Sequence, residues 1–150
     1  MSLELDINAG IKAAMLGKKE AELRALRAIK AAILVAKTAE GGSGELSAAE
    51  ELKLLQKLAK QRRDSLEIFR AQQREDLAVK EEEELAVIER FLPQQMSEAE
   101  LRTAITGIIA ATGASSPADM GKVMGVATKQ LAGKADGKVI SELSKKLLSL

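Results

Sequence analysis

The stretch FLPQQMSEAEL, residues 91–101, divides the chain. Pro93 disfavours helical geometry in the residue before it, so a helix arriving from the amino-terminal side must end there. Four residues on, Ser97 and Glu100 form S-x-x-E, the capping box that opens a new helix. A stop followed by a start, with a short polar connector between them, marks Pro93 as a boundary between two helical assemblies.

Leftward from Pro93, Leu77, Leu85, Ile88 and Leu92 recur at helical spacing. Before them, Ser47 and Glu50 make another capping box for a helix striped with Leu55, Leu58, Leu66 and Phe69. GGSGE at 41–45 reads as a loop, because its glycines do not hold a helix. A helix from about Lys19 to Glu40 carries Leu23, Leu26, Ile29 and Ile33 on one face. The first helix carries Leu3, Ile7, Ile11 and Met15 and ends at Gly17.

Rightward, Leu101, Ile105, Ile108 and Ile109 form the next stripe, closed by Gly113. Ser116 with Pro117 at the first helical position starts another helix. Asp136 caps the last, with Val139, Leu143 and Leu147 along one side. No strand pattern appears. The expectation is an all-α protein. Residues 1–92 form an antiparallel four-helix bundle, and residues 93–150 form a small three-helix domain.

Composition points the same way. Among 150 residues, 46% are hydrophobic and 30% charged, but aromatics are 1%, only Phe69 and Phe91. A core of Leu, Ile, Val, Met and Ala suits closely packed helices better than a β-sandwich. Without Cys or His there is neither a disulfide framework nor a Cys/His zinc site, and the usual general base and thiol nucleophile are missing. No phosphate-binding loop, dinucleotide fingerprint, nucleophile elbow or HExxH motif is present. No catalytic residue, metal ligand or cofactor is therefore assigned. MSLELDINAG at the amino terminus lacks the basic and apolar regions of a secretion signal, and no apolar run approaches a membrane span. These features give the expectation of a cytoplasmic protein with no membrane partner.

Net charge is +1, unevenly spread. Residues 1–92 are net −1 and residues 93–150 net +2; from Met120 onward six lysines meet only Asp136 and Glu142, net +4. The candidate site lies there, in GKVMGVATKQLAGKADGK, residues 121–138, as Gly121, Lys122, Gly125, Lys129, Gly133, Lys134 and Lys138. Gly121 and Gly125 form G-x-x-x-G, which bares one side of a helix backbone. The commoner use of that spacing is tight helix packing; the other is close approach to a sugar-phosphate backbone. Gly133 stands where a helix stop needs positive φ. Lys134 and Lys138 flank the start of the helix that Asp136 caps. They read either as solvated surface lysines or as phosphate ligands aided by the helix N-terminus. KQRR at 60–63 and KEEEE at 80–84 read as solvated faces, or as opposed runs that fix the register of two helices.

The runs KQRRDSLEIF, REDLAVKEEEEL, FLPQQMSEAEL, DMGKVMG and GKADGKVISELSKKLL, in that order over almost the whole chain, resemble the GatB/YqeY family. The resemblance implies a two-part all-helical fold. It implies a relationship to the carboxyl-terminal tail of the B subunit of the glutamine-dependent tRNA amidotransferase, which helps hold tRNA. It also carries, by family association only, a label of carbon–nitrogen ligase with glutamine as amido-N-donor. Gly121, Val123 and Met124 match the family's glycine-helix motif, and Gly133, Lys134, Ala135 and Asp136 its following loop; Gly125 stands where a lysine is commoner in that tail. The expected function is a non-catalytic module binding tRNA or another structured RNA. The absence of stacking aromatics favours contact by shape and phosphate. The alternative is a protein-interaction module docking on a tRNA synthetase or amidotransferase component.

Overall fold

A computed structural model describes residues 2–39 and 44–150. Among the described residues there are seven α-helices, one 3₁₀ turn and no strand. By internal contact the chain separates into two compact units, Met1–Pro93 and Gln94–Leu150.

The first unit contains α1 (Leu3–Leu16), α2 (Glu20–Thr38), α3 (Ala48–Ala71) and α4 (Glu75–Glu89). Ser2 opens α1 by accepting a hydrogen bond from Leu5 N–H at 3.3 Å. The expected capping box opens α3: Ser47 N–H donates to Glu50 Oε2 at 2.7 Å, and Glu50 N–H donates to Ser47 Oγ at 3.2 Å. Gly41, Gly42 and Ser43 of the expected loop, with Glu40 before them, lie outside the described residues.

The core of this unit joins Ile7 of α1, Leu26, Ile29 and Ile33 of α2, Leu55 and Ala59 of α3, and Val87 and Ile88 of α4. Met15 does not belong to it: Ala14 is buried instead, and Met15 is exposed. The close helix approach in this unit is at Gly10, where a Cβ would stand 3.2 Å from Leu26 Cδ1. Burying such aliphatic side chains contributes about 1.5–3 kcal/mol each relative to leaving them exposed.

The two opposed charge runs do meet, α3 and α4 being the most extensively packed pair. Arg62 Nη1 lies 3.0 Å from Glu81 and 2.9 Å from Glu84. Arg63 reaches Glu89 at 3.4 Å and Arg70 reaches Glu82 at 2.9 Å. From α2, Arg24 joins both Glu83 and Glu84. The Arg62 pairs are part-buried, whereas Arg70 with Glu82 is an exposed pair of the kind worth about 0–1 kcal/mol; together they fix the register of α3 against α4.

The second unit contains α5 (Glu98–Thr112), a 3₁₀ turn at Pro117–Asp119, α6 (Met120–Gln130) and α7 (Gly137–Leu148). Ser97 Oγ accepts from Glu100 N–H at 3.2 Å and donates to the Glu100 carboxylate at 3.0 Å, so the carboxylate bonds the hydroxyl at this cap. Gly113, at φ 71°, ends α5. Ser116 and Pro117 start the 3₁₀ turn, which leads into α6. Leu101, Ile105 and Ile108 of α5 meet Val123 and Ala127 of α6 and Ile140, Leu143 and Leu148 of α7 in one core. Val139, expected to line the inner side of α7, is 45% exposed; Ile140 takes that place.

Candidate nucleic-acid interface

α6 buries Val123 and Ala127, packs Met120, Met124 and Val126 half-buried against the same core, and turns its remaining side to solvent. Gly121, Lys122, Gly125 and Lys129 are all exposed. Their spacings of four and seven residues align them along the outer side of the helix. Among the described residues, chain neighbours and the helix's own backbone aside, no atom lies within 4 Å of where a Cβ would stand at Gly121 or Gly125. The glycine pair therefore does not serve tight helix packing, the commoner reading of its spacing. It leaves a strip of bare backbone beside two lysines.

Gly133 has φ 76° and is buried, so the turn after α6 uses its glycine as expected. The turn is fastened by the segment after Pro93. Gln95 Nε2 donates to Gly133 O at 2.6 Å, and Met96 N–H donates to Lys134 O at 2.9 Å. Both carbonyls are consumed, while the Lys134 side chain stays exposed.

Asp136 caps α7, its Oδ1 accepting from Lys138 N–H at 3.3 Å. That N–H is thereby taken by the capping carboxylate. Lys138 is exposed, and Lys145, one heptad on, lies on the same outer side with Lys146 beside it. Glu142 sits between them at i+4 from Lys138, without an ion pair to any of the three. Lys145 and Lys146 were not among the candidates read from the sequence; the seven-residue spacing from Lys138 was the signal for Lys145.

The contrast between the units is electrostatic. All but one of the ion pairs among the described residues lie in the first unit. The exception is Lys122 with Asp119, at 4.0 Å. Asp119 is also held by backbone N–H groups of Ser115 at 2.9 Å and Ser116 at 3.4 Å. Those bonds, Ser115 first, with Lys122 beside them, keep its carboxyl below the usual range. Lys129, Lys134, Lys138, Lys145 and Lys146 make no ion pair among the described residues. The first unit also leaves Lys53 and Lys57 unpaired, but there acids outnumber cations. The second unit thus carries exposed lysines on α6 (Lys122 and Lys129), on the fastened turn (Lys134) and on α7 (Lys138, Lys145 and Lys146).

Among the described residues no helix is long and apolar enough to cross a membrane. A search of curated proteins finds no match to the chain. The profile of one protein family, described as Yqey-like protein, matches residues 4–148, nearly the full length. The chain therefore belongs to the Yqey-like protein family.

Proposed function

We propose that the chain is a non-catalytic module that binds tRNA or another structured RNA through Lys122, Lys129, Lys134 and Lys138, in a cytoplasmic setting. In this reading the first unit is an antiparallel four-helix support, and the three-helix unit carries the contact surface. The observation behind it is the set of exposed lysines on α6, on the turn and on α7, of which, among the described residues, Lys122 alone has an acidic partner, Asp119 at 4.0 Å. The bare Gly121–Gly125 strip supports it too, since it lets a sugar-phosphate backbone come close to the helix. With no exposed aromatic in the second unit, recognition rests on phosphate positions and on the shape of the fold presented, not on stacked bases. The link to the tRNA amidotransferase enters through the family resemblance alone.

The test is binding of labelled bulk tRNA, followed by fluorescence anisotropy as salt is raised. If three to five phosphates are engaged, log K falls against log salt with a slope of roughly −2 to −4. Lys134→Ala with Lys138→Ala lowers the steepness by about 1–2. The same change of charge at Lys53 and Lys57 leaves the slope where it was. Absence of binding at low salt, or equal effects of the two double variants, refutes the proposal.

A further inference from the structure

The first unit carries an open groove of about 500 Å³, lined by the first turns of α1 and α3 and by the chain leaving α4. Its floor is apolar: Leu3, Leu55 and Leu92 are buried beneath it, and Leu52 and Phe91 are half-buried at its sides. Its rim is acidic. Asp6 and Glu51 stand on it, neither in an ion pair. The one cation there, Arg90, is committed to Glu22 at 2.6 Å. An apolar trough edged by uncompensated carboxylates is complementary to an amphipathic helix with an apolar stripe and basic flanks. It repels nucleic acid and anionic lipid surfaces for the same reason.

We propose that this groove docks a basic amphipathic helix belonging to another protein. The helix inserts apolar side chains one turn apart against Leu52 and Phe91 and places Lys or Arg beside Asp6 and Glu51. A second copy of this chain does not supply such a helix. Its net-basic helices, α2, α3, α6 and α7, have their main apolar stripes buried in their own cores, through Leu26, Ile29 and Leu55 in the first unit and Val123, Ile140 and Leu143 in the second. The groove draws on residues of the first unit and the lysine rows on residues of the second.

The probe is a labelled synthetic helical peptide with Leu at i, i+3, i+4 and i+7 and Lys at the flanking positions. A matched peptide carries Glu for each Lys. With the full chain, the lysine peptide binds saturably, and the glutamate peptide at least about tenfold more weakly. Amide shifts in NMR spectra concentrate on Leu3, Asp6, Leu52 and Phe91. Asp6→Asn with Glu51→Gln, which leaves the apolar floor intact, weakens binding about three- to tenfold. Leu52→Ser weakens it further. Three results would overturn the proposal. One is equal binding of the two peptides or no effect of the carboxylate variants. Another is amide shifts centred on Leu16 and Val35, the most exposed apolar side chains of α1 and α2, at 79% and 69%. The last is a dimer in sedimentation that Leu52→Ser dissociates, which would make the occupant a second copy.

Discussion

Lys18 and Gln73 hold left-handed backbone, with φ 54° and 58°. Each closes a helix in the same way. Lys18 N–H bonds to Met15 O and Lys19 N–H to Ala14 O; Gln73 N–H bonds to Arg70 O and Arg74 N–H to Phe69 O. This is the Schellman ending, normally built on glycine. Gly113 makes it at φ 71°, with Gly113 N–H to Ala110 O and Ala114 N–H to Ile109 O. An L-residue in this region costs roughly 1–2 kcal/mol, and glycine gives part of that back to the greater freedom of the unfolded chain. Gln73→Gly is therefore expected to raise the unfolding free energy by about 0.5–1 kcal/mol, measured by urea titration at unchanged m-value. Gly113→Ala is expected to lower it by about 1 kcal/mol. The stop at Gly113 was legible because glycine advertises it. Gly17 signalled the end of α1, but with φ −82° it leaves the left-handed place to Lys18, whose side chain gives no such sign.

α6 and α7 show what periodicity resolves and what it leaves open. Val139 and Ile140 stand four and three residues before Leu143, so helical spacing admits either as its inward neighbour. Only the position of α5 and α6 against the helix selects Ile140. Likewise G-x-x-x-G tells that a side of α6 is bare, not whether another helix covers it. The uncovered strip makes a prediction with two readouts. An alanine at Gly121 or Gly125 meets open space, and each substitution is expected to raise stability by roughly 0.5–1 kcal/mol through helix propensity. The same methyl groups hold a sugar-phosphate backbone away, so tRNA affinity falls as the thermal midpoint rises. Gly107 of α5 is also open, and Gly107→Ala raises the midpoint without touching affinity. Thermal melts followed by circular dichroism, paired with anisotropy, separate these outcomes.

Across the whole molecule, paired acids set the response to pH. Arg90 donates to Glu22, Arg74 to Asp76, and the Ser47 backbone to Glu50; each bond holds its carboxyl below its ordinary value, 4.5 for the two glutamates and 3.8 for Asp76. Asp119 follows the same rule through Ser115. Groups with lowered folded pKa contribute stability that is complete above the ordinary value and is lost as pH falls through the folded one. The thermal midpoint is expected to stay level from neutrality to about pH 5 and to drop below that, with Glu22→Gln reducing the drop. Overall charge was legible in the sequence as a nearly neutral first part and a basic end. Which cations are neutralised was not. Arg62 meets Glu81 and Glu84 only because α3 and α4 fold back on one another, whereas Lys129 and Lys134 meet no acid. The two hydrogen bonds from Gln95 and Met96 to the turn at Gly133 and Lys134 bear on how the chain is cut for study. A truncation beginning at Ser97 keeps every helix of the second unit yet strips that bend of both its fasteners. One beginning at Gln94 retains them, so excision sites chosen from helix ends alone would deliver Lys134 on a loosened mount.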